Sequence, residues 1–206
     1  ADLKTYPTIA DAIGYCFQQQ DHAFYVIAFP SANKTWAYEL NTEQWHELAW
    51  LDDNGNLNRH RGNCCMFAYG KNIIGDWQNG KLYSLDPHVF TDDGNPIPRI
   101  RTFPHFIEDG KRVNYKQFIV DMQNGTLDPS SEDNPALISL RWSDSKGATY
   151  GNPVIQTMGN GGDYLTQISY WRLGQARDRV FEISWSSPVN TALNGAFLEI
   201  SQVSKS

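Results

Sequence analysis

The sequence of 206 residues contains no run of about 18 apolar residues, and its N-terminus has no basic segment followed by an apolar stretch and a cleavage site. Neither a membrane span nor secretion is indicated. Cysteine is scarce: Cys16, Cys64 and Cys65 form an odd count without metal-ligand spacing. The vicinal pair points to opposite faces if it lies in a strand, so the three read as reduced thiols of a cytoplasmic product. His22, His46, His60, His88 and His105 are scattered, without the i, i+4 spacing of a helical zinc site. No serine sits in a Gly-x-Ser-x-Gly elbow, and neither a P-loop nor a dinucleotide glycine pattern occurs. No metal or cofactor is implied. Basic charge is also in deficit, with Lys+Arg 17 against Asp+Glu 23 and a formal net charge of −6. A general nucleic-acid binder needs the opposite balance to neutralise phosphates, although an acidic wall facing DNA without gripping it remains allowed.

What the chain does have is 40% hydrophobic residues, 13% aromatic, with Gly 16 and Pro 10 to supply turns. That is too apolar for a solvated disordered chain, and the length allows one large or two small domains. It begins at Ala1 without methionine and enters at once into an element, which suggests a fragment whose partner strands are missing.

One short helix is expected, capped by Thr8, running through Ile9, Ala12 and Ile13 and ended by Gly14. Everything after it reads as strand. Residues 24–29 are an apolar run stopped by Pro30; 35–40 follow across a polar turn, and 43–50 return, giving a three-stranded antiparallel meander. After the loop Asp52-Asp53-Asn54-Gly55-Asn56, a second meander is expected over 64–69, 72–77 and 81–85. Its last two strands meet at Gln78-Asn79-Gly80, a strong hairpin signal because Asn and Gly both tolerate positive φ. Tyr38-Glu39-Leu40-Asn41 with Trp45 recurs as Tyr83-Ser84-Leu85-Asp86 with Phe90, an offset in the range of a propeller blade. Periodicity alone leaves a propeller and a generic antiparallel sheet equally open.

Pro96, Pro98 and Pro104 punctuate the next stretch, placing a boundary near Thr102. Six strands are expected beyond it, at 115–122, 136–142, 154–158, 164–173, 179–185 and 196–200, with loops at Gln123-Asn124-Gly125 and Asn160-Gly161-Gly162-Asp163. The reading is therefore all-β: propeller-like antiparallel blades over 1–101, then a β-sandwich-like domain over 102–206.

Candidate chemistry is thin. The segment Arg141-Trp142-Ser143-Asp144-Ser145-Lys146-Gly147-Ala148-Thr149-Tyr150 is similar to the Asp-box turn of sialidases, with Ser145 at the usual Asp position and Asp144 displaced by one. Even an intact Asp-box stabilises a fold and carries no catalytic group. A glycosidase needs paired carboxylates or an arginine cluster. The acidic pairs Asp52-Asp53 and Asp92-Asp93 each lie beside glycine and read as solvated turns. Arg172, Arg177 and Arg179 could grip a phosphate or carboxylate, but cross-strand ion pairs with Asp178 or Glu182 explain them more simply. Of the seven tryptophans, Trp36, Trp45 and Trp77 read as packing on the repeating strands, and Trp142, Trp171 and Trp185 as packing within the later domain, against an alternative of sugar stacking. No catalytic, cofactor-binding or metal residue is assigned.

The order of motifs is more specific than any one of them. Asp21-His22-Ala23-Phe24-Tyr25, Phe29-Pro30, Thr35-Trp36, Trp45-His46-Glu47, Gly75-Asp76, Gly80-Lys81-Leu82-Tyr83, Thr91-Asp92-Asp93-Gly94, Pro96-Ile97, Arg141-Trp142-Ser143-Asp144, Tyr170-Trp171-Arg172-Leu173-Gly174 and Ser187-Pro188-Val189 together resemble the C-terminal half of the phage packaged-DNA stabilisation proteins. The resemblance implies a non-enzymatic virion component of a short-tailed phage, the tail hub that closes the portal channel after packaging. The partners it implies are an adaptor ring above, a tail needle and tailspikes below, and further copies of itself in a ring, hexameric in the virion. Transient contact with DNA in the channel and assembly in the host bacterial cytoplasm are implied too; no membrane partner is. The competing reading from another class is a glycan-binding or glycan-cleaving module of a phage tail.

Overall fold

The computed structural model describes residues 3–124, 136–159 and 167–202. These residues form two compact units, Ala1–Asn95 and Pro96–Ser206. Both are built from antiparallel strands, and the fold is all-β. Among the described residues no helix is long and apolar enough to cross a membrane.

The first unit holds two small sheets. In one, β1 (Ile13–Gln19), β2 (His22–Phe29), β3 (Lys34–Glu39) and β4 (Gln44–Glu47) pair in sequence order. A hairpin of β5 (Ala49–Leu51) and β6 (Leu57–Arg59) links it to the second sheet, β7 (Gly62–Ala68), β8 (Lys71–Asp76) and β9 (Leu82–Leu85). The short pair β10 (Thr91–Asp92) and β11 (Asn95–Pro96) follows. The two sheets share a core in which Tyr15, Val26 and Ala37 meet Ile74, with Phe17, Leu48, Cys65, Tyr83 and Leu85 against them.

The expected N-terminal helix is absent. Thr8 Oγ1 does accept the Ala10 N–H at 3.1 Å, but only a single turn follows, closed by the Ala12 N–H on Ile9 O at 3.3 Å. Residues 13–19 instead alternate, burying Tyr15 and half-burying Phe17 between exposed Gly14, Cys16 and Gln18, which is strand periodicity. This first strand turns the expected three-stranded meander into a four-stranded one. The expected strand at 43–50 is broken at Leu48, whose N–H turns back to Thr35 O at 2.9 Å and frees β5 to pair with β6. The vicinal cysteines do face opposite ways: Cys64 is exposed and Cys65 lies against the core.

In the second unit β12 (Arg99–Thr102) and β13 (Phe106–Ile107) both pair with β18 (Asp178–Trp185), beside β15 (Leu137–Ser143) and β16 (Val154–Thr157). A second sheet has the order β17-β14-β19, from β17 (Ile168–Ala176), β14 (Val113–Asn124) and β19 (Thr191–Gln202). Residues before Thr102 thus join this unit through pairing with β18. The core takes Tyr115, Phe118 and Val120 from β14, Ile138 and Leu140 from β15, Tyr170 from β17 and Phe181 and Ile183 from β18. Phe118 and Phe181, from different sheets, stand 4.8 Å apart. The loop at Asn160-Gly161-Gly162-Asp163, the first residues of the strand expected at 164–173 and the glycine of Gln123-Asn124-Gly125 lie outside the described residues.

Candidate functional site

Most polar side chains that could have carried chemistry are tied into the fold. Arg61 is buried, 4.0 Å above the Trp50 ring, donating to Asp76 at 3.2 Å and lying 3.3 Å from Asp92. Burial pushes the Asp92 carboxyl above its ordinary range against the pull of Arg61. Two carboxylates around one arginine form a cross-link within the first unit. The Asp92-Asp93 pair therefore differs from the solvated turn expected: Asp92 faces Arg61 and Asp93 pairs with Lys81 at 3.0 Å. Asp52 behaves as expected, accepting the N–H groups of Asn54 and Asn56 at 3.0 and 2.7 Å.

His22 bonds Glu39, which also accepts from Thr42 at 2.9 Å and lies 3.6 Å from His46. The His22 and Thr42 hydrogen bonds hold the Glu39 carboxyl below its usual range. His60 lies between β6 and β7, with Nδ1 accepting from Gly62 N–H at 3.2 Å and lying 3.4 Å from Tyr15 Oη. Burial depresses its imidazole to about 4, so it is neutral. His105 bonds Asp178 at 2.9 Å.

In the second unit Arg179, 2% exposed, is gripped by both Asp144 oxygens at 2.6 and 2.8 Å, donates to Leu173 O and lies 4.5 Å over the Tyr115 ring. The partners expected from sequence were different. Asp178 goes to His105, and Glu182 is taken by Arg141 at 2.6 Å and Thr102 at 3.1 Å. Neighbours in sequence lost to a loop carboxylate brought in by β15. The Arg141–Tyr150 turn is held by Ser143 Oγ, which accepts from Ser145 and Gly147 N–H at 3.2 and 2.9 Å, and by Ser145 Oγ, which accepts from Thr149 N–H at 2.9 Å. Asp144 is thereby free to face Arg179.

Exposed aromatics remain. Trp142 and Trp185 pack against the core as expected, and Trp36 is half-buried with its N–H on Tyr6 Oη at 2.9 Å. Trp77 is partly covered by Arg59, 4.1 Å above its ring. Trp45 and Trp171 contradict the packing expectation, being 54% and 62% exposed. Trp171 alternates with the core-facing Ile168 and Tyr170, and a bulge just after it brings Leu173 to the core side as well. Register shifts between Tyr115 and Gln117 on both sides of β14, and Arg172 and Gly174 take φ of 60° and 78°. Core-facing residues run Ile168, Tyr170, then Leu173, so Trp171 is turned outward. It borders a recess of about 460 Å³ with Arg172, Asn114, Lys116 and Glu199, the last two paired at 3.2 Å.

Uncovered apolar surfaces also lie on the first unit. On its first sheet the row Cys16–Tyr25–Tyr38–Trp45 runs across four strands in register, on the face opposite the core row Tyr15–Val26–Ala37. On its second sheet Met66 and Leu82, 61% and 73% exposed, stand on the face opposite Ile74.

Comparison with known proteins bears on this unit. Residues 2–90 match the family model described as Bacteriophage P22 Gp10, beta-propeller. No curated protein matches the chain. The match takes in the motifs from Asp21 to Tyr83, while those from Thr91 onward lie beyond it. By that match, residues 2–90 of this chain are similar to the phage P22 Gp10 family, a family of structural phage proteins.

Proposed function

We propose that the chain is a non-enzymatic component of a short-tailed phage tail hub, which closes the portal channel and retains packaged DNA by joining the adaptor ring to the tail needle and tailspikes. The observation that carries this reading is the family match over residues 2–90. Two face-to-face sheets with a shared aromatic and aliphatic core supply the stiffness a plug needs. An acidic chain, net −6, lets DNA pass without the salt-sensitive adhesion of a basic wall. In this reading the protein sits in the virion as a ring, hexameric by analogy with its family, after assembly in the host cytoplasm. The test is reconstitution with the adaptor ring of the same phage. Stable co-sedimentation, together with DNA leakage from particles lacking the protein, is the expected result; no affinity for the adaptor and full DNA retention without the protein would reject the hub role.

A second reading, glycan binding, is favoured by one observation: the exposed Trp171 beside Arg172, Asn114 and Lys116 has the stacking surface and polar rim that sugars use. A glycan array on the chain and its Trp171→Ala variant separates the two. Binding lost in the variant supports this reading, and a blank array removes it.

A further inference from the structure

Two irregularities of the second unit meet at one point on the outer face of its β17-β14-β19 sheet. Between the pairs Tyr115–Gly174 and Gln117–Trp171, β17 has two residues, Arg172 and Leu173, where β14 has one, Lys116. Between Tyr115–Ile200 and Gln117–Glu199, Lys116 is itself the extra residue. Bulges re-aim side chains, and these bring Trp171, Arg172, Lys116 and Glu199 to the rim of one recess of about 460 Å³, a volume in the range of small-molecule sites. The bulged backbone at Arg172 is left-handed, with φ of 60°. Glycine takes that conformation freely, whereas in any other residue the Cβ crowds the following carbonyl. Nothing in the packing calls for arginine there. Its side chain is exposed, and among the described residues it makes no hydrogen bond, ion pair or ring contact. Gly174, with φ of 78°, leaves the space beside it open: a Cβ there would meet nothing within 4 Å.

The rim has a definite chemistry. Trp171, 62% exposed, offers an indole face beside the guanidinium. Lys116 and Glu199 answer each other at 3.2 Å, so the recess keeps one net positive charge, that of Arg172. A carboxylate carries one negative charge and suits the planar fork of a guanidinium, which can donate two parallel hydrogen bonds to it. A phosphate monoester carries about two, and the excess would face Glu199. Asn114 turns its Nδ2 to Ser201 Oγ at 3.4 Å, so its Oδ1 and the Glu199 carboxylate remain as acceptors for O–H donors. The ligand that fits has a flat C–H face for the indole, hydroxyls for the acceptors and one carboxylate for the arginine. An acidic peptide supplies only the last.

We propose that this recess binds a sugar acid, a pyranose bearing a carboxylate, with Trp171 stacked on the ring, Arg172 holding the carboxylate, and Glu199 and Asn114 accepting from the hydroxyls. The strained backbone at Arg172 is then the mark of a working group: the fold keeps arginine where glycine would sit more easily because the guanidinium has a ligand to hold. The inference rests on the glycan reading of this recess and adds the class of sugar. It concerns residues beyond the 2–90 match and is independent of the hub role.

The experiment titrates the full chain with glucuronate, glucose, glucose 6-phosphate and a short aspartate-rich peptide. Binding is followed by saturation-transfer NMR and by the shift of the Trp171 indole N–H, assigned by its absence in Trp171→Phe. Glucuronate should bind at least about tenfold more tightly than glucose, the worth of one charge-assisted contact, and more tightly than the phosphate or the peptide. Trp171→Ala should lose both sugars. In Arg172→Gly, affinity for glucuronate should fall to that for glucose while the melting temperature holds or rises, since glycine relieves the backbone. A preference for glucuronate that survives in Arg172→Gly overturns the proposal and marks the arginine as structural. Equal affinity of the wild type for glucose and glucuronate overturns the sugar-acid assignment and leaves the glycan reading standing. Tighter binding of glucose 6-phosphate does the same. The peptide binding as well as glucuronate overturns the assignment in favour of an acidic protein partner, and a wild type that binds no sugar removes both the inference and the glycan reading.

Discussion

At the scale of single residues the first unit depends on a few groups whose chemistry is fixed by burial. His60 is the clearest. Burial depresses its imidazole to about 4, whereas in the unfolded chain it titrates near about 6.5. Between those values the unfolded chain takes up the extra proton, so stability is full above about 6.5 and falls as the pH is lowered through about 4, by about 3 kcal/mol in all. Carboxyls held below their usual range by hydrogen bonds, Glu39 by His22 and Asp52 by the Asn56 N–H, add their own losses only at lower pH. Urea midpoints of the wild type should therefore decline from pH 6.5 to 4, and His60→Gln should flatten that slope; equal slopes in both would show that His60 is not responsible. Gly62 belongs to the same spot, because a Cβ there would lie 2.7 Å from Tyr15 Oη and 3.2 Å from His60 Nδ1.

At the scale of elements, the turn that follows β15 is built by its hydroxyls, while its carboxylate anchors Arg179. Asp144→Ala should leave a guanidinium 2% exposed without its bidentate partner. The expected cost is about 2–3 kcal/mol, toward the low side for a broken buried pair because Asp144 is itself half exposed and water can enter. Thermal denaturation measures it, and a loss within experimental error would show that Leu173 O and the aromatic rings suffice. The elements also show what sequence could and could not tell. Strands with clean alternation or turn signals, such as β8 and β9 about Asn79-Gly80, were legible because local rules and tertiary packing agree there. β1 was not, since Thr8 offers a genuine local cap that competes with the strand pattern after it. The outward turn of Trp171 was hidden because the bulge after it puts Leu173 on the core side together with Tyr170, so the sequence alternation reads equally well in either phase. Asp144 was missed as the partner of Arg179 because that contact spans two strands with no sequence signal. The repeat was half legible: it aligned Tyr38 with Tyr83, but only the fold shows one row bare and the other covered.

At the scale of the whole molecule, each unit has its own core, so damage should stay local. Val26 and Leu140 are both fully buried, one in each core. Val26→Ala should cost about 2 kcal/mol and Leu140→Ala about 3 kcal/mol, from lost transfer energy and the cavity left behind. Hydrogen exchange followed by mass spectrometry should show faster exchange in β2 and β3 for the first and in β15 and β18 for the second. Equal loss of protection in both units from either substitution would mean that they unfold as one.

The longest ladder among the described residues gives the second unit a mechanical grain. β14 is bonded to β17 from Val113 to Val120 and to β19 from Val113 to Asn124. A force along its axis loads both ladders in shear, and many bonds must yield together. At the edge of the other sheet β16 is held to β15 only over Leu137–Leu140 and Val154–Thr157, and a force across it opens those bonds one at a time, like a zip. The same unit is therefore tough in one direction and yielding in another.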